Sequence, residues 1–258
     1  MKNILLGPNR QVIEEFARSN VLLAFDFDGT LSPIVADPAR ARMRPTTSRL
    51  LNDLAILYPC IVISGRAQAD VLGRLDGIPV HGVIGNHGVE PWQASERLAE
   101  EVQRWRPLLR KRLSGLPGVR IEDKTLSVAV HYRHSREKKK ARAAISEAVR
   151  ALGDVRVIGG KQVVNVLPKA ASDKGAALLE ERERLACEKA IYVGDDDTDE
   201  DVFALDQPAS LLTIRVGAKT GSMASYYVRS QVVVDELLRF LLEMRQRSEA
   251  RLELPVGR

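Results

Sequence analysis

The chain has 258 residues, 45% of them hydrophobic, enough for a real core in one large domain or two modest ones and too much for a disordered protein. Its 39 basic and 34 acidic residues give a net charge of +5 spread along the chain, with only 5% aromatics, which argues against nucleic-acid binding and favours a small anionic partner. Cys60 and Cys187 form no CxxC or Cys/His cluster, the opening MKNILLGPNRQ is too short in apolar residues for a signal-peptide core, and no run approaches a membrane span; a soluble cytoplasmic protein with reduced thiols is expected.

In chain order, residues 11–18 have helical spacing and lead into Val21-Leu22-Leu23-Ala24-Phe25, an unbroken apolar run that reads as a strand buried on both faces. It ends in Asp26-Phe27-Asp28-Gly29-Thr30. A two-residue period sends Asp26 and Asp28 to one side of the strand's carboxyl end, where open α/β sheets bind ligands. Two carboxylates that close need a cation or a shared proton, so the pair indicates a metal site or an acid/base pair. Gly29 permits a sharp turn, and Thr30 offers a hydroxyl and an N–H to an anion.

Residues 31–44, with Pro33 and Pro38, read as a loop. Pro45 opens a helix carrying Leu50, Leu51, Leu54 and Leu57, and Cys60 to Ile63 forms a short buried strand ending at Ser64-Gly65-Arg66, with a helix starting at Ala67. Alone, that Ser reads equally as a helix cap. A third strand, Val80 to Ile84, ends in Gly85-Asn86-His87-Gly88. Strands alternating with helices predict a doubly wound, Rossmann-like parallel sheet.

The pattern then changes. A helix from Ser95 to Leu113, strands at 119–122 and 126–133, a helix at 136–152 and strands at 155–158 and 162–167 describe an inserted α+β unit; insertions at a ligand end commonly act as lids. Lys138, Lys139, Lys140 and Arg142 lie opposite its apolar stripe and read as a solvated face. The expected division is core over 1–88, cap over 89–167 and core again over 168–258.

After Pro168 the sheet pattern returns. Asp173-Lys174-Gly175 opens a helix through Leu185, and Ala190 to Val193 is a strand delivering Asp195, Asp196, Asp197, Asp199, Glu200 and Asp201. Six acids in seven positions after a buried strand call for a nearby cation, though a solvated acidic loop has the same composition. Residues 211–216 and 232–234 read as further strands, and 235–247 as a closing amphipathic helix. No Walker motif and no GxGxxG following a strand supports a nucleotide-dependent reading.

Asp26-x-Asp28-x-Thr30, Ser64, Lys174 and Asp195-Asp196, in that order at one predicted sheet edge, resemble the haloacid dehalogenase superfamily of phosphotransferases. DFDGTLSPI, VISGR, GNHG, DKTLSVAVHYR, DKGAAL and YVGDDDTDEDVF further resemble the trehalose-6-phosphate phosphatase family. The resemblance implies a Mg²⁺-dependent phosphatase of trehalose 6-phosphate, working through an aspartyl phosphate on Asp26 with Asp28 as acid and then base. It assigns Mg²⁺ to the Asp26 carboxylate, the Asp28 backbone carbonyl and Asp195, with Asp196 or Asp199 holding metal waters or orienting Lys174. Ser64 and Lys174 would hold phosphate oxygens; Arg66, His87, Lys124, His131 and Arg133 would meet the substrate, and a trehalose-phosphate synthase would share the pathway. The family's usual Glu-x-Arg-Pro is here Asn165-Val166-Leu167-Pro168. Asn165 can hydrogen-bond sugar hydroxyls without a charge, which keeps another glycosyl phosphate, such as glucosylglycerol or mannosylglycerate phosphate, in contention. A receiver-like or non-catalytic regulatory module is the rival from a different class.

Overall fold

The computed structural model describes residues 1–91, 96–160 and 162–252. In chain order its elements are β1 (Lys2–Asn3), α1 (Asn9–Ala17), β2 (Val21–Phe25), α2 (Pro45–Leu57), β3 (Cys60–Ile63), α3 (Gln68–Leu75) and β4 (Gly82–Ile84). There follow α4 (Glu96–Leu113), β5 (Arg120–Asp123), β6 (Val128–His131), α5 (Lys138–Arg150), β7 (Val155–Gly160) and β8 (Val163–Pro168). The chain closes with α6 (Lys174–Arg184), β9 (Lys189–Gly194), α7 (Glu200–Phe203), β10 (Leu211–Val216), β11 (Tyr226–Val228) and α8 (Val234–Leu252). The helix start expected at Ser95 lies outside the described residues, as does the end of the carboxyl tail.

All seven strands of the main sheet run parallel, in the order β1-β11-β10-β9-β2-β3-β4. Every residue of β2 is buried because both faces are covered. Leu23 and Phe25 point into a layer with Phe16, Leu51, Leu54 and Leu241. Leu22 and Ala24 point the other way, against Leu178, Tyr192 and Phe203. The alternation follows from the two-residue period of a strand, and helices on both faces supply the apolar cover that a parallel sheet requires.

Residues 232–234 are not a strand. Gln231–Val233 form a 3₁₀ turn that runs into α8. Val232 stands 64% exposed, and Tyr226–Val228 holds the sheet position beside β10. The two-residue β1 and the short β11 and α7 carry too little periodicity to be read from sequence.

Between β4 and α6 the inserted unit forms a four-stranded antiparallel sheet, β5-β6-β8-β7, covered by α4 and α5. It has its own apolar core, including Val102, Trp105, Leu109, Val130, Ile145 and Val166. A smaller cluster of Val89, Leu98, Leu126, Ile158, Leu167 and Ala171 fills the junction with the main sheet.

Candidate active site

The carboxyl ends of β2, β3, β4 and β9 deliver Asp26, Ser64, Asn86-His87 and Asp195 to one edge of the main sheet. The inserted unit overhangs that edge, and a cavity of about 900 Å³ separates the two. Its walls include Asp26, Asp28, Arg66, His87, Lys124, His131, Arg133, Asn165, Lys174, Asp195 and Asp196. Thr30, Ser64 and Asp199 are buried and do not line it.

Lys174, the first residue of α6, is 1% exposed. Asp173 caps this helix by accepting from the Ala176 N–H, which fixes where the lysine leaves the backbone. The Lys174 Nζ donates to Asp26 Oδ1 and to Asp199 Oδ1, each at 2.7 Å. Burial opposes its charge, but the Asp199 and Asp26 carboxylates outweigh that and hold the ammonium pKa well above the ordinary lysine range. Burial, with help from Asp199 and Asp195, pushes Asp26 well above the usual carboxylate range against the pull of Lys174. Both Asp199 oxygens are committed: Oδ1 also accepts from the Tyr192 hydroxyl at 2.7 Å, and Oδ2 accepts from the Asp196 N–H at 2.8 Å. Asp199 therefore orients Lys174.

Asp26, Asp195 and Asp199 each place a carboxylate oxygen within 4.8 Å of the others. The backbone makes room for this: Gly29 has φ +92°, and a Cβ there would stand 2.2 Å from Asp195 Oδ2. At Gly194 a Cβ would fall 2.3 Å from the Asp199 carboxyl carbon. A cluster of hard carboxylate oxygens, with side-chain space removed around it, fits a small divalent cation such as Mg²⁺.

Arg66 lines the cavity with its guanidinium already paired. Its Nε and Nη2 embrace Asp28 Oδ2 and Oδ1 at 2.5 and 2.7 Å, Nη1 donates to Asp70 Oδ2 at 2.7 Å, and Nη2 also reaches the Pro38 carbonyl at 3.0 Å. Two of these four hydrogen bonds hold Asp28 at both oxygens, and the other two tie the guanidinium to Asp70 and the Pro38 carbonyl. The Ser64 hydroxyl accepts from the Arg66 N–H at 3.2 Å, the local capping geometry that sequence alone also allowed.

The inserted unit reaches the core at several points. The Lys124 Nζ donates to the Gly65 carbonyl at 2.9 Å, and Asn86 accepts from the Ser127 hydroxyl at 2.8 Å. Arg133 donates to the Val35 and Ala36 carbonyls across the cavity mouth, at 3.3 and 3.2 Å. His131 pairs with Glu122 at 2.6 Å, and this hydrogen bond draws the Glu122 pKa below its ordinary value against partial burial. His87 packs on Gly65, where a Cβ would meet the ring at 2.4 Å. Burial, then Lys124, Lys174 and Arg156, hold its pKa well below the histidine range, while the Asn165 side chain acts in the opposite sense. The imidazole is neutral, and Asn165, 6% exposed on β8, lines the cavity with it. Leu167 does not line the cavity; it is buried in the junction cluster.

Sequence reading missed Arg156, Tyr192 and Arg215. Arg156, on β7, donates from Nη2 to Asp201 Oδ2 at 2.7 Å and from Nη1 to the Ser172 carbonyl at 3.1 Å. The available signal was chemical: a phenol in AIYVG and a guanidinium in TIRVG, each inside a strand too apolar to keep them without partners.

A doubly wound parallel sheet whose interior strand β2 ends in paired acids, facing a helix-start lysine and an acidic run, is the arrangement of the haloacid dehalogenase superfamily. The family profile described as trehalose-phosphatase matches residues 24–231, and the chain belongs to that family. A trehalose-phosphate phosphatase of Mycobacterium leprae is 37% identical over 200 residues, which cover 69% of this chain and 46% of the relative. One from Mycobacterium ulcerans is 36% identical over 196 residues, covering 69% and 50%. The chain thus spans about half the length of the curated relatives it matches. Among solved structures, a trehalose-6-phosphate phosphatase related protein superposes with TM-score 0.70 at 26% identity, over 88% of this chain and 99% of the other. The carboxyl-terminal domain of a C. albicans trehalose-6-phosphate phosphatase shares the fold, with TM-score 0.72 at 24% identity over 91% and 97%. Among the described residues no helix is long and apolar enough to cross a membrane.

Proposed function

We propose that this chain is a Mg²⁺-dependent phosphatase that hydrolyses trehalose 6-phosphate to trehalose and phosphate. The observation that carries the chemistry is the buried Asp26–Lys174–Asp199 chain beside Asp195 at the floor of the cavity. The substrate is suggested by the family and its relatives.

Asp26 is the nucleophile: a carboxylate oxygen attacks phosphorus, the bond to the sugar oxygen breaks, and an aspartyl phosphate forms. Asp28 gives its proton to the departing sugar oxygen and then takes one from the water that hydrolyses the acyl phosphate. Arg66 acts on the substrate through Asp28, which on leaving the guanidinium takes from solvent the proton that it passes to the sugar oxygen. Lys174 keeps Asp26 oriented and offsets negative charge growing on the transferred group, with Ser64 supporting the turn beside it. Asp26, Asp195 and the Asp28 carbonyl would hold Mg²⁺, with Asp196 as a further acid beside them, and the cation would supply positive charge against the clustered carboxylates and the phosphoryl oxygens.

Residues 89–167 serve as a cap over a core built from 1–88 and 168–258. His87, Lys124, His131, Arg133 and Asn165 then surround the sugar, with Thr30 placed behind the wall in a supporting role. A trehalose-phosphate synthase is the natural pathway partner. The free, buried Cys60 and Cys187 are consistent with a reducing cytoplasm.

A second reading, hydrolysis of another glycosyl phosphate, is favoured by the neutral Asn165 on the cavity wall. Phosphate release with Mg²⁺ on trehalose 6-phosphate, sucrose 6-phosphate, glucose 6-phosphate and glucosylglycerol phosphate separates them. Preference for trehalose 6-phosphate, abolished in Asp26→Asn, is the expected result. Preference for another sugar transfers the reading to that substrate, and silence on all four favours a regulatory module.

A further inference from the structure

A buried cation stands behind the acidic run, and the chemistry above makes no use of it. Arg215 is the fifth residue of β10, a strand buried at every position, and is itself 5% exposed. A guanidinium is kept in such a place only when its donors are met. Here Nη2 donates to the Asp195 carbonyl at 2.5 Å, and Nη1 to the Asp196 carbonyl at 3.0 Å and to Glu200 Oε1 at 3.1 Å. Glu200 is fixed from its other side, since Oε2 accepts the Met223 N–H at 2.9 Å. In register Arg215 faces Gly194, so its fork lies directly behind the point where the chain leaves β9 for Asp195. On the front side the Asp195 carboxylate is packed against Gly29, within reach of Asp26. The loop is thus held at its carbonyls from behind while its carboxylate faces the cluster.

We propose that Arg215 is a positioning residue for the divalent-cation site: by pinning the Asp195 and Asp196 carbonyls it sets the direction of the Asp195 carboxylate toward Asp26. This rests on the reading that Asp26 and Asp195 hold Mg²⁺. The positive charge of Arg215 does not itself oppose the cation strongly, because Glu200 at 3.1 Å and Asp197 at 4.0 Å offset it. Geometry is what its removal would take away. A planar fork that serves two carbonyls and a carboxylate at once is not reproduced by an ammonium.

The test is calorimetric titration of Mg²⁺ into the wild-type chain, Arg215→Met, Arg215→Lys and Asp195→Asn, with melting curves in chelator and in Mg²⁺. Arg215→Met is expected to bind Mg²⁺ about 10- to 100-fold more weakly, the range found when a partner of a metal ligand is lost. Arg215→Lys should fall between, melt in chelator within a few degrees of wild type, and show a smaller Mg²⁺-induced rise. The Mg²⁺ concentration for half-maximal phosphate release should climb by the same factor, with the rate recovering at saturating metal. If Arg215→Met fails to fold, Arg215→Lys carries the test. Both folded variants binding Mg²⁺ within about twofold of wild type, while Asp195→Asn loses it, would overturn the role of Arg215 alone. Wild-type affinity retained in Asp195→Asn would overturn the metal assignment and this inference with it.

Discussion

Lys174 holds two buried carboxylates at the floor of the site, and its worth is decided by what would remain without it. Arg or Lys between acids in the interior gives little net stability over an apolar replacement, but removing one member leaves the others charged and unpaired. Lys174→Met is therefore expected to cost on the order of 3–5 kcal/mol, read as a lowered urea midpoint, together with loss of phosphate release. A cost below about 1 kcal/mol would show that Asp26 and Asp199 relieve each other through a shared proton instead. His87 makes an independent prediction. Its folded pKa lies well below the ordinary value because of burial and the neighbouring cations, so as pH falls through about 6.5 the unfolded chain takes up a proton that the folded chain does not. Stability from this residue is full above that pH and lost below it. In His87→Asn the drop in unfolding free energy between pH 7.5 and 5.5 should shrink by roughly 1 kcal/mol; an unchanged drop would mean the folded imidazole titrates normally.

At the scale of elements, the site depends on where β8 hands over to α6. Arg156 stands opposite Leu167 in the β7–β8 ladder and reaches out of the inserted sheet to Asp201 and the Ser172 carbonyl. It braces the segment that leads into Asp173 and Lys174. Burial raises the Asp201 pKa, and Arg156 works against that, so the pair is partly desolvated and worth more than an exposed bridge. Arg156→Met should lower kcat roughly tenfold, with a smaller change in KM, because it displaces Lys174 rather than a sugar contact. A pure rise in KM would instead assign Arg156 to holding substrate. Gly29 makes the complementary case at a turn. With φ +92° and no space for a Cβ, Gly29→Ala should weaken Mg²⁺ binding by pushing Asp195 away, measurable by the same titration.

The molecule as a whole presents a mild positive charge to an anionic substrate, while the cavity wall mixes Arg66, Arg74, Arg120, Lys124, Arg133 and Lys174 with Asp26, Asp28, Asp37, Asp70, Glu122, Asp123, Asp195 and Asp196, so long-range steering comes from the net charge of the whole chain. Arg66, Arg74 and Lys124 are pinned by hydrogen bonds, so their field is fixed before substrate arrives. kcat/KM for a dianionic sugar phosphate should fall as ionic strength rises from about 0.01 to 0.15 M, while kcat stays near constant. A kcat that fell in parallel would point to salt acting on the fold or on metal binding. The inserted unit has its own apolar core and meets the rest of the molecule through a small junction cluster and a set of polar contacts. Arg133 on the Val35 and Ala36 carbonyls is one of them and lies across the mouth.

The sequence by itself determined the parallel sheet and the α+β unit that follows β4, and it singled out the carboxylates and the lysine that meet at one sheet edge, because those depend on local patterns: apolar runs that must be buried on two faces, glycines at turns, and acids too close together to be idle. It could not assign partners, because a side chain's partner lies across the fold. Arg66, singled out as a substrate contact, lines the cavity and stands on Asp28; Asp199, singled out for metal waters or for orienting Lys174, has one oxygen on Lys174 and the other on the Asp196 N–H. The Val232 to Val234 run has strand composition and became a 3₁₀ turn and a helix start, since sheet membership is decided by pairing across the fold, and the place beside β10 belongs to β11. Arg156 and Arg215 were illegible for the same reason. A charged residue in a strand signals that partners exist, but only tertiary packing, which brings Asp201 and the Asp195 carbonyl within hydrogen-bond distance, decides which they are.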